Sequence, residues 1–408
     1  MALKLFFEKL LNLVLFSFFF QCSKLALYLR FVGDNFSFFQ NSLYKSWFDH
    51  IKSGQIAHAQ LIVSKNGGLA WLAVLEYIKR VMCDQPNPNG GACGFCDACV
   101  QSSLFSHPDV HFAFPISGGD GEGASSKTSD QYLPEFRTYL KTNPFPMFKN
   151  WISSISAQKK VLQIGVKESS AVLSKLSLKS HSGKYKILVL WLPEKLSSAA
   201  ANKLLKTIEE PNEKTVLLLI THDLSGVLPT IISRCLVFSI PPLGGKQVER
   251  WLNKERNVAP DTARVLSKMS CGDPGLALDY LENRENLKVF AEAFVSSMKI
   301  SFKKDFQGLH LWVEELGSWG RGQTQEYFTF SSTVISEIAK YKSMGSGEVI
   351  FDWFPEISFK TEGFSKLLKY SYLPMFMSVF DEGKIDIGRN LNPKIVLFDA
   401  GIRMMEIF

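Results

Sequence analysis

A doubly wound α/β domain followed by helical regions is the architecture this sequence predicts, on three observations. Short apolar runs without polar alternation recur at residues 60–63, 110–114, 187–192, 216–220 and 236–240, which is how strands covered on both faces read. Segments of helix length separate them, as parallel strands require. After Pro241, Pro242, Gly244 and Gly245 the strand-like runs become scarce and helical spacing takes over. The 408 residues are 46% hydrophobic and 21% charged, a globular composition that excludes disorder, collagen and a small disulfide scaffold.

In chain order, residues 1–44 form an extension of different composition, with ten of the 33 phenylalanines in residues 1–40. The apolar run at 10–20 has signal-peptide length but no small-x-small site after it, and it is too short to span a bilayer. A membrane-interacting helix, a peripheral extension and a wrongly chosen start codon all remain open readings. The rest of the chain is that of a cytosolic protein. Net charge is +7, of which Lys4, Lys9, Lys24 and Arg30 against Glu8 put +3 in the extension, so global charge says little about nucleic acid. Between Lys159 and Lys206, ten lysines face only Glu168 and Glu194. Such a segment could track phosphates or be a solvated helical face, and the sequence does not decide between them.

The first strand, with His58, Ala59 and Gln60 at its start, runs into Ser64, Lys65, Asn66, Gly67, Gly68, Leu69, Ala70 and Trp71 before a helix. That is the place of a phosphate-binding loop, G-x-x-x-x-G-K-[ST]. Here Ser64 and Leu69 replace its two glycines, Ala70 its lysine and Trp71 its hydroxyl residue, so the phosphate contact and the magnesium ligand are both missing. After the strand at 187–192 an ATPase would place acidic residues for magnesium and water, whereas this chain has Trp191 and Leu192, with Glu194 read as an ordinary loop carboxylate. Two losses at one reaction centre predict no ATP in the chain's own site and no intrinsic hydrolysis.

Cys83, Cys93, Cys96 and Cys99 give C-x9-C-x2-C-x2-C, with Gly90, Gly91 and Gly94 in the connecting loop. Two-residue gaps let sulfurs converge on one ion, and four thiolates suit a closed structural zinc site. An iron–sulfur centre and a disulfide framework fit less well, since the ferredoxin spacing and any sign of an oxidising compartment are absent. Residues 117–129 read as a surface loop, and His107, Pro108 and Asp109 as a structural turn. Ser197 is placed to cap a helix that Pro211 stops. Beyond 242, residues 243–289 read as a small helical lid with a turn at Gly272, Asp273, Pro274 and Gly275. Residues 290–408 read as a longer helical domain, with a helix start at Asn392, Pro393 and Lys394.

Together these stretches resemble the delta-prime subunits of the bacterial DNA polymerase III clamp loader. The resemblance is carried by residues 56–61, the four-cysteine insertion, residues 107–109 and 176–179, and the run from Ala200 through Lys206 to Glu209, Glu210 and Pro211. It continues through residues 228–235, ending on Ser233, Arg234 and Cys235. It implies an α/β AAA+ module with a five-stranded sheet at 45–242, a lid at 243–289 and an all-α collar at 290–408. It also implies a role for Arg234, which would project into the ATP site of a neighbouring subunit, with Ser233 and Cys235 positioning it. The implied partners are tau/gamma and delta subunits, the sliding clamp transiently, and primed template DNA, with no membrane partner. Two rival readings are a tau/gamma-like ATPase and a zinc-containing DNA-binding or membrane-associated regulator on an inactive AAA+ core. The segment 144–155 has no counterpart in the resemblance.

Overall fold

The computed structural model describes residues 42–64, 68–117, 127–157, 161–344, 350–357 and 359–408. Most of the N-terminal extension, Lys65, Asn66 and Gly67 of the loop after the first strand, Lys159 and Lys160, and the middle of the 117–129 loop lie outside the described residues. The chain divides into two compact units, Met1–Pro242 and Leu243–Phe408. No helix of the described residues is long and apolar enough to cross a membrane.

The first unit is built on five parallel strands: β1 (Ala59–Val63), β2 (Val110–Ala113), β5 (Lys186–Trp191), β6 (Thr215–Thr221) and β7 (Leu236–Ser239), in the order β2-β5-β6-β1-β7. β3 (Ile116–Ser117) and β4 (Leu162–Gln163) form a separate two-stranded antiparallel pair. Every residue of β5 and β6 is buried, which is why their sequences run apolar without alternation. β7 departs from that expectation. It is an edge strand paired only with β1, and Leu236 and Val237 are 48% and 42% exposed.

Helices cover both faces of the sheet. On one, Leu61, Leu188, Leu190, Leu217 and Leu219 pack with Val172 and Leu176 of α6 (Val166–Ser177), Leu204 and Ile208 of α7 (Ser198–Glu209) and Ile231 of α8 (Pro229–Ile232). Ser197 caps α7 by accepting from the Ala200 amide, 3.3 Å. On the other face lie α1 (Ser42–Lys52), α2 (Ala70–Met82), α4 (Leu133–Thr142) and α5 (Phe148–Ser154), with α3 (Asp97–Ser103) following α2. This face is aromatic: Phe114 stacks on Phe136 at 3.8 Å, and fully buried Trp151 lies edge-on to both. The Trp151 indole donates to the Pro115 carbonyl at 2.9 Å, so the segment 144–155 anchors in the core through Phe145, Met147 and Trp151. Gln60, buried in mid-strand, is satisfied by accepting from Trp47 Nε1 at 2.6 Å and donating to the Tyr77 hydroxyl at 2.7 Å.

The second unit is all helical among the described residues, from α9 (Gly245–Arg256), α10 (Pro260–Met269) and α11 (Pro274–Glu282) to α12 (Arg284–Lys303), α13 (Phe306–Gly317), α14 (Arg321–Met344), α15 (Thr361–Leu367), α16 (Tyr372–Gly388) and α17 (Pro393–Ile407). Gly272, at φ +84°, needs to be glycine, since a Cβ there would stand 2.0 Å from the Leu243 carbonyl oxygen. Asp273 then caps α11, and Asn392 caps α17. The single helix α12 runs through residues 289 and 290, where the sequence suggests a change of domain.

Candidate functional site

The cysteine knuckle starts where α2 ends. Cys83 is the C-cap of α2, Cys96 the N-cap of α3, and Cys99 lies in the first turn of α3. Gly90 and Gly94, at φ +80° and +83°, reverse the chain between them. All four sulfurs lie within 4.8 Å of one another. Cys83 and Cys96 are 4.0 Å apart and Cys93 and Cys99 3.9 Å. A tetrahedron with metal–sulfur bonds of about 2.3 Å has edges of about 3.8 Å, whereas a disulfide would bring one pair to about 2 Å. The backbone amides of Cys93 and Cys96 each donate to a sulfur, of Cys83 and Cys93 respectively, at 3.3 Å, the outer-shell bonding that stabilises thiolate charge. Lys184, just before β5, ties the knuckle to the sheet by donating to the carbonyls of Met82 and Cys83 and to Asp84. The four cysteines can thus hold a metal ion in a closed site.

The described residues of the loop after β1 lead directly into the aromatic face. Ser64 donates its amide to the Thr221 carbonyl at 3.1 Å. Gly68 and Leu69 are buried ahead of α2, Ala70 is fully buried and Trp71 is 4% exposed in the first turn. The Trp71 ring meets Trp191 at 5.9 Å, edge to face, and packs on Phe105, Phe112 and Phe136. The two positions that the sequence singles out separately are therefore in contact. Trp191 Nε1 donates to His222 Nε2 at 3.2 Å, and His222 Nδ1 lies 2.9 Å from the Ser64 carbonyl. A ring accepting at Nε2 and donating at Nδ1 is neutral. Burial accordingly pushes the His222 pKa down to about 4, against the opposing hydrogen bond to Ser64. Glu194 accepts from the Thr221 hydroxyl at 2.8 Å and the His222 amide at 3.3 Å, and burial raises its carboxyl above the usual range. It is a tie between strand ends, a role that its place in a loop sequence does not disclose.

A pH dependence follows. An unfolded histidine titrates near 6.5, so the stability gained by holding His222 neutral is fully present above that pH and is lost as pH falls through about 4. The urea midpoint is expected to drop between pH 7 and pH 4.5 by more in the parent chain than in His222→Gln. Equal drops would remove His222 as the cause.

Arg234 lies elsewhere in the unit, in the turn between α8 and β7. Its Nε is ion-paired with Glu209, and its Nη1 donates to the Thr230 carbonyl at 2.9 Å and to the Ser233 hydroxyl at 3.3 Å. Its side chain is 34% exposed. Cys235 packs against the core cluster, and burial raises its thiol pKa to about 11, so it is a packing residue and not a reactive thiolate. Five lysines of the lysine-rich stretch have partners within the unit. Lys175 pairs with Asp130, Lys184 holds the knuckle, buried Lys186 caps the end of α6 through the carbonyls of Leu176 and Leu178, Lys195 lies over Phe148, and Lys203 donates to Ser170. Asp109 accepts from the amides of His181 and Ser182 and from the Ser182 hydroxyl, and His107 accepts the Asp109 amide, a bonding pattern that makes the 107–109 segment a turn. At the far end of the 117–129 loop, Ser129 is fully buried and donates to Glu168 and the Phe112 carbonyl.

Comparison with known proteins gives consistent results. The chain is 29% identical over 263 residues to the DNA polymerase III subunit delta' of Bacillus subtilis (strain 168), covering 64% of each chain. It is 26% identical over 222 residues to that of Escherichia coli (strain K12), covering 54% of each. The chain thus spans less than two thirds of these relatives. Among solved structures, a DNA polymerase III gamma subunit-related protein of Thermotoga maritima aligns over 88% of this chain and 98% of its own at 15% identity and a TM-score of 0.36. The Bacillus subtilis DNA clamp loader delta protein aligns over 89% and 99% at 10% identity and a TM-score of 0.27. Superpositions this loose define no shared detail. A model of the family described as DNA polymerase III, delta subunit, matches residues 39–244, half of the chain and the whole span that carries the knuckle, the Trp71–Trp191 contact and Arg234, and the chain belongs to that family.

Proposed function

We propose that this chain is a delta-prime subunit of the DNA polymerase III clamp loader, a non-hydrolysing AAA+ subunit that helps load the sliding clamp onto primed DNA. The reading rests above all on the contact between Trp71 and Trp191. The two residues that would hold magnesium are replaced by indoles that pack on each other in a buried cluster, and the lysine that would hold phosphate is replaced by Ala70. A domain so filled contributes to ATP hydrolysis only by reaching another subunit's site, and Arg234 is the group available for that. The family membership and the delta' relatives support the same assignment.

In this reading, residues 45–242 form the AAA+ module, 243–289 a lid and 290–408 a collar that assembles with tau/gamma and delta subunits in the cytoplasm. The four cysteines hold one structural zinc ion, which fixes the knuckle and takes no part in chemistry. A trans-acting arginine is worth about 10³–10⁵ in rate at the site it completes. Arg234→Ala is therefore expected to silence the site it completes and to lower DNA-stimulated ATP turnover of the reconstituted assembly by that site's share, without dissociating it. Unchanged turnover would refute the role. Submillimolar binding of ATP and magnesium by the isolated chain, with turnover, would favour a tau/gamma-like ATPase instead.

A further inference from the structure

The ion partner of Arg234 sits in an unfavourable place. Glu209 is the last residue of α7, where the helix presents unpaired carbonyls and partial negative charge. Glu210 follows at once, and Pro211 ends the helix. Two carboxylates at a helix C-terminus repel that end unless a cation answers them. Lys206 stands in the same last turn, and Arg234 answers Glu209 directly, through Nε alone. Its Nη1 is held independently by Thr230 and Ser233. Its Nη2 makes no hydrogen bond among the described residues. The guanidinium is thus gripped on two of its three nitrogens, and the third keeps both N–H donors.

We propose that Glu209 is a positioning residue for Arg234: it holds Nε so that Nη2 is presented to the phosphate oxygens of a nucleotide bound by the neighbouring subunit. The proposal rests on the trans-arginine reading above. A latch that had to break before Arg234 could act would take the paired edge of the guanidinium in a two-bond fork. The single Nε contact leaves the charge anchored and still available. An arginine held in one rotamer loses less freedom on meeting its target than a mobile one, and that advantage falls on the rate of the step it assists.

The test uses the reconstituted assembly with primed DNA. Glu209→Ala is expected to lower kcat for ATP by a part of the loss seen in Arg234→Ala, with KM and subunit assembly unchanged, in line with the loss of one ordered side chain. Glu209→Gln keeps an oxygen to accept from Nε and is expected to recover most of the lost turnover. Glu209→Ala combined with Arg234→Ala should be no slower than Arg234→Ala alone. Turnover of Glu209→Ala equal to that of the parent, or a deficit in the double variant beyond that of Arg234→Ala, would overturn the positioning role while leaving Arg234's intact. An increase would also overturn it, because it would make the pair a restraint. If Arg234→Ala itself leaves turnover unchanged, the underlying reading fails and this one with it. Glu209 is 45% exposed, so neither substitution removes core.

Discussion

Cys99→Ser is expected to abolish stoichiometric metal binding and to unfold the knuckle between α2 and α3. Structural zinc sites contribute about 10–16 kcal/mol of apparent binding free energy in small isolated peptides, and that energy is folding energy where little else holds the segment. Little else does so here. Most of residues 84–97 are exposed or half-buried, and Phe95, between two ligands, is 70% exposed. Cys99 is the fully buried ligand, so its sulfur sets the depth at which the ion would sit against α3. The damage should spread, because the chain leaving α3 carries Phe105, which packs on Trp71 and Phe112. The measurements are zinc content of the purified chain, expected at one per molecule, and proteolysis within residues 84–98, expected to appear in Cys99→Ser and in chelator-treated protein. An iron chromophore, or a knuckle equally resistant with and without metal, would contradict the assignment.

The next largest effect is expected at Trp191. Trp191→Ala should destabilise the first unit by about 3–5 kcal/mol, the range for emptying a large aromatic site that cannot collapse. Trp191 is fully buried and touches Trp71, Phe136, Tyr139, Phe148 and His222. The substitution also removes the donor to His222 Nε2, leaving a buried acceptor with one partner fewer. Trp191→Asp, which returns an acid to the place where an ATPase carries one, should be worse than Trp191→Ala, since an unpaired charge would enter an apolar cluster. Neither variant is expected to bind ATP, because Ala70 and Trp71 still lack the lysine and hydroxyl. Chemical denaturation with intrinsic fluorescence reads the first effect and equilibrium nucleotide binding the second. A cost below about 1 kcal/mol would mean that the cluster relaxes freely around the gap.

The parts of this molecule that were legible in its sequence are those where one physical pattern dominates. β5 and β6 lie mid-sheet, and burial on both faces leaves apolar residues between their polar ends, Lys186, Thr215 and Thr221, so their runs read directly. The same reasoning misjudged β7, whose Leu236 and Val237 look like buried strand residues but stand at an edge. Cysteine spacing predicts converging sulfurs because thiolates at two-residue gaps have few other uses, and the four sulfurs do lie within 4.8 Å of one another. Residues 144–155 were opaque because Trp151 and Tyr139 find partners through tertiary packing, the Tyr139 hydroxyl by donating to the Met147 carbonyl and accepting its amide. The lysines between 159 and 206 leave two readings open in the sequence, a phosphate track and a solvated helical face. Charge counted along a chain does not reveal which heads fold back onto helix ends and neighbouring carboxylates. The pairing of Glu209 with Arg234 joins two motifs that are visible separately, and no local rule connects residues 25 apart.

The edge-to-face indoles at the end of β5 also carry a thermodynamic corollary. A protein gains stability from a small molecule only in proportion to how much more tightly its native form holds it than its unfolded form does. With Trp71 and Trp191 locked together, heating curves of this polypeptide should be indifferent to millimolar ATP.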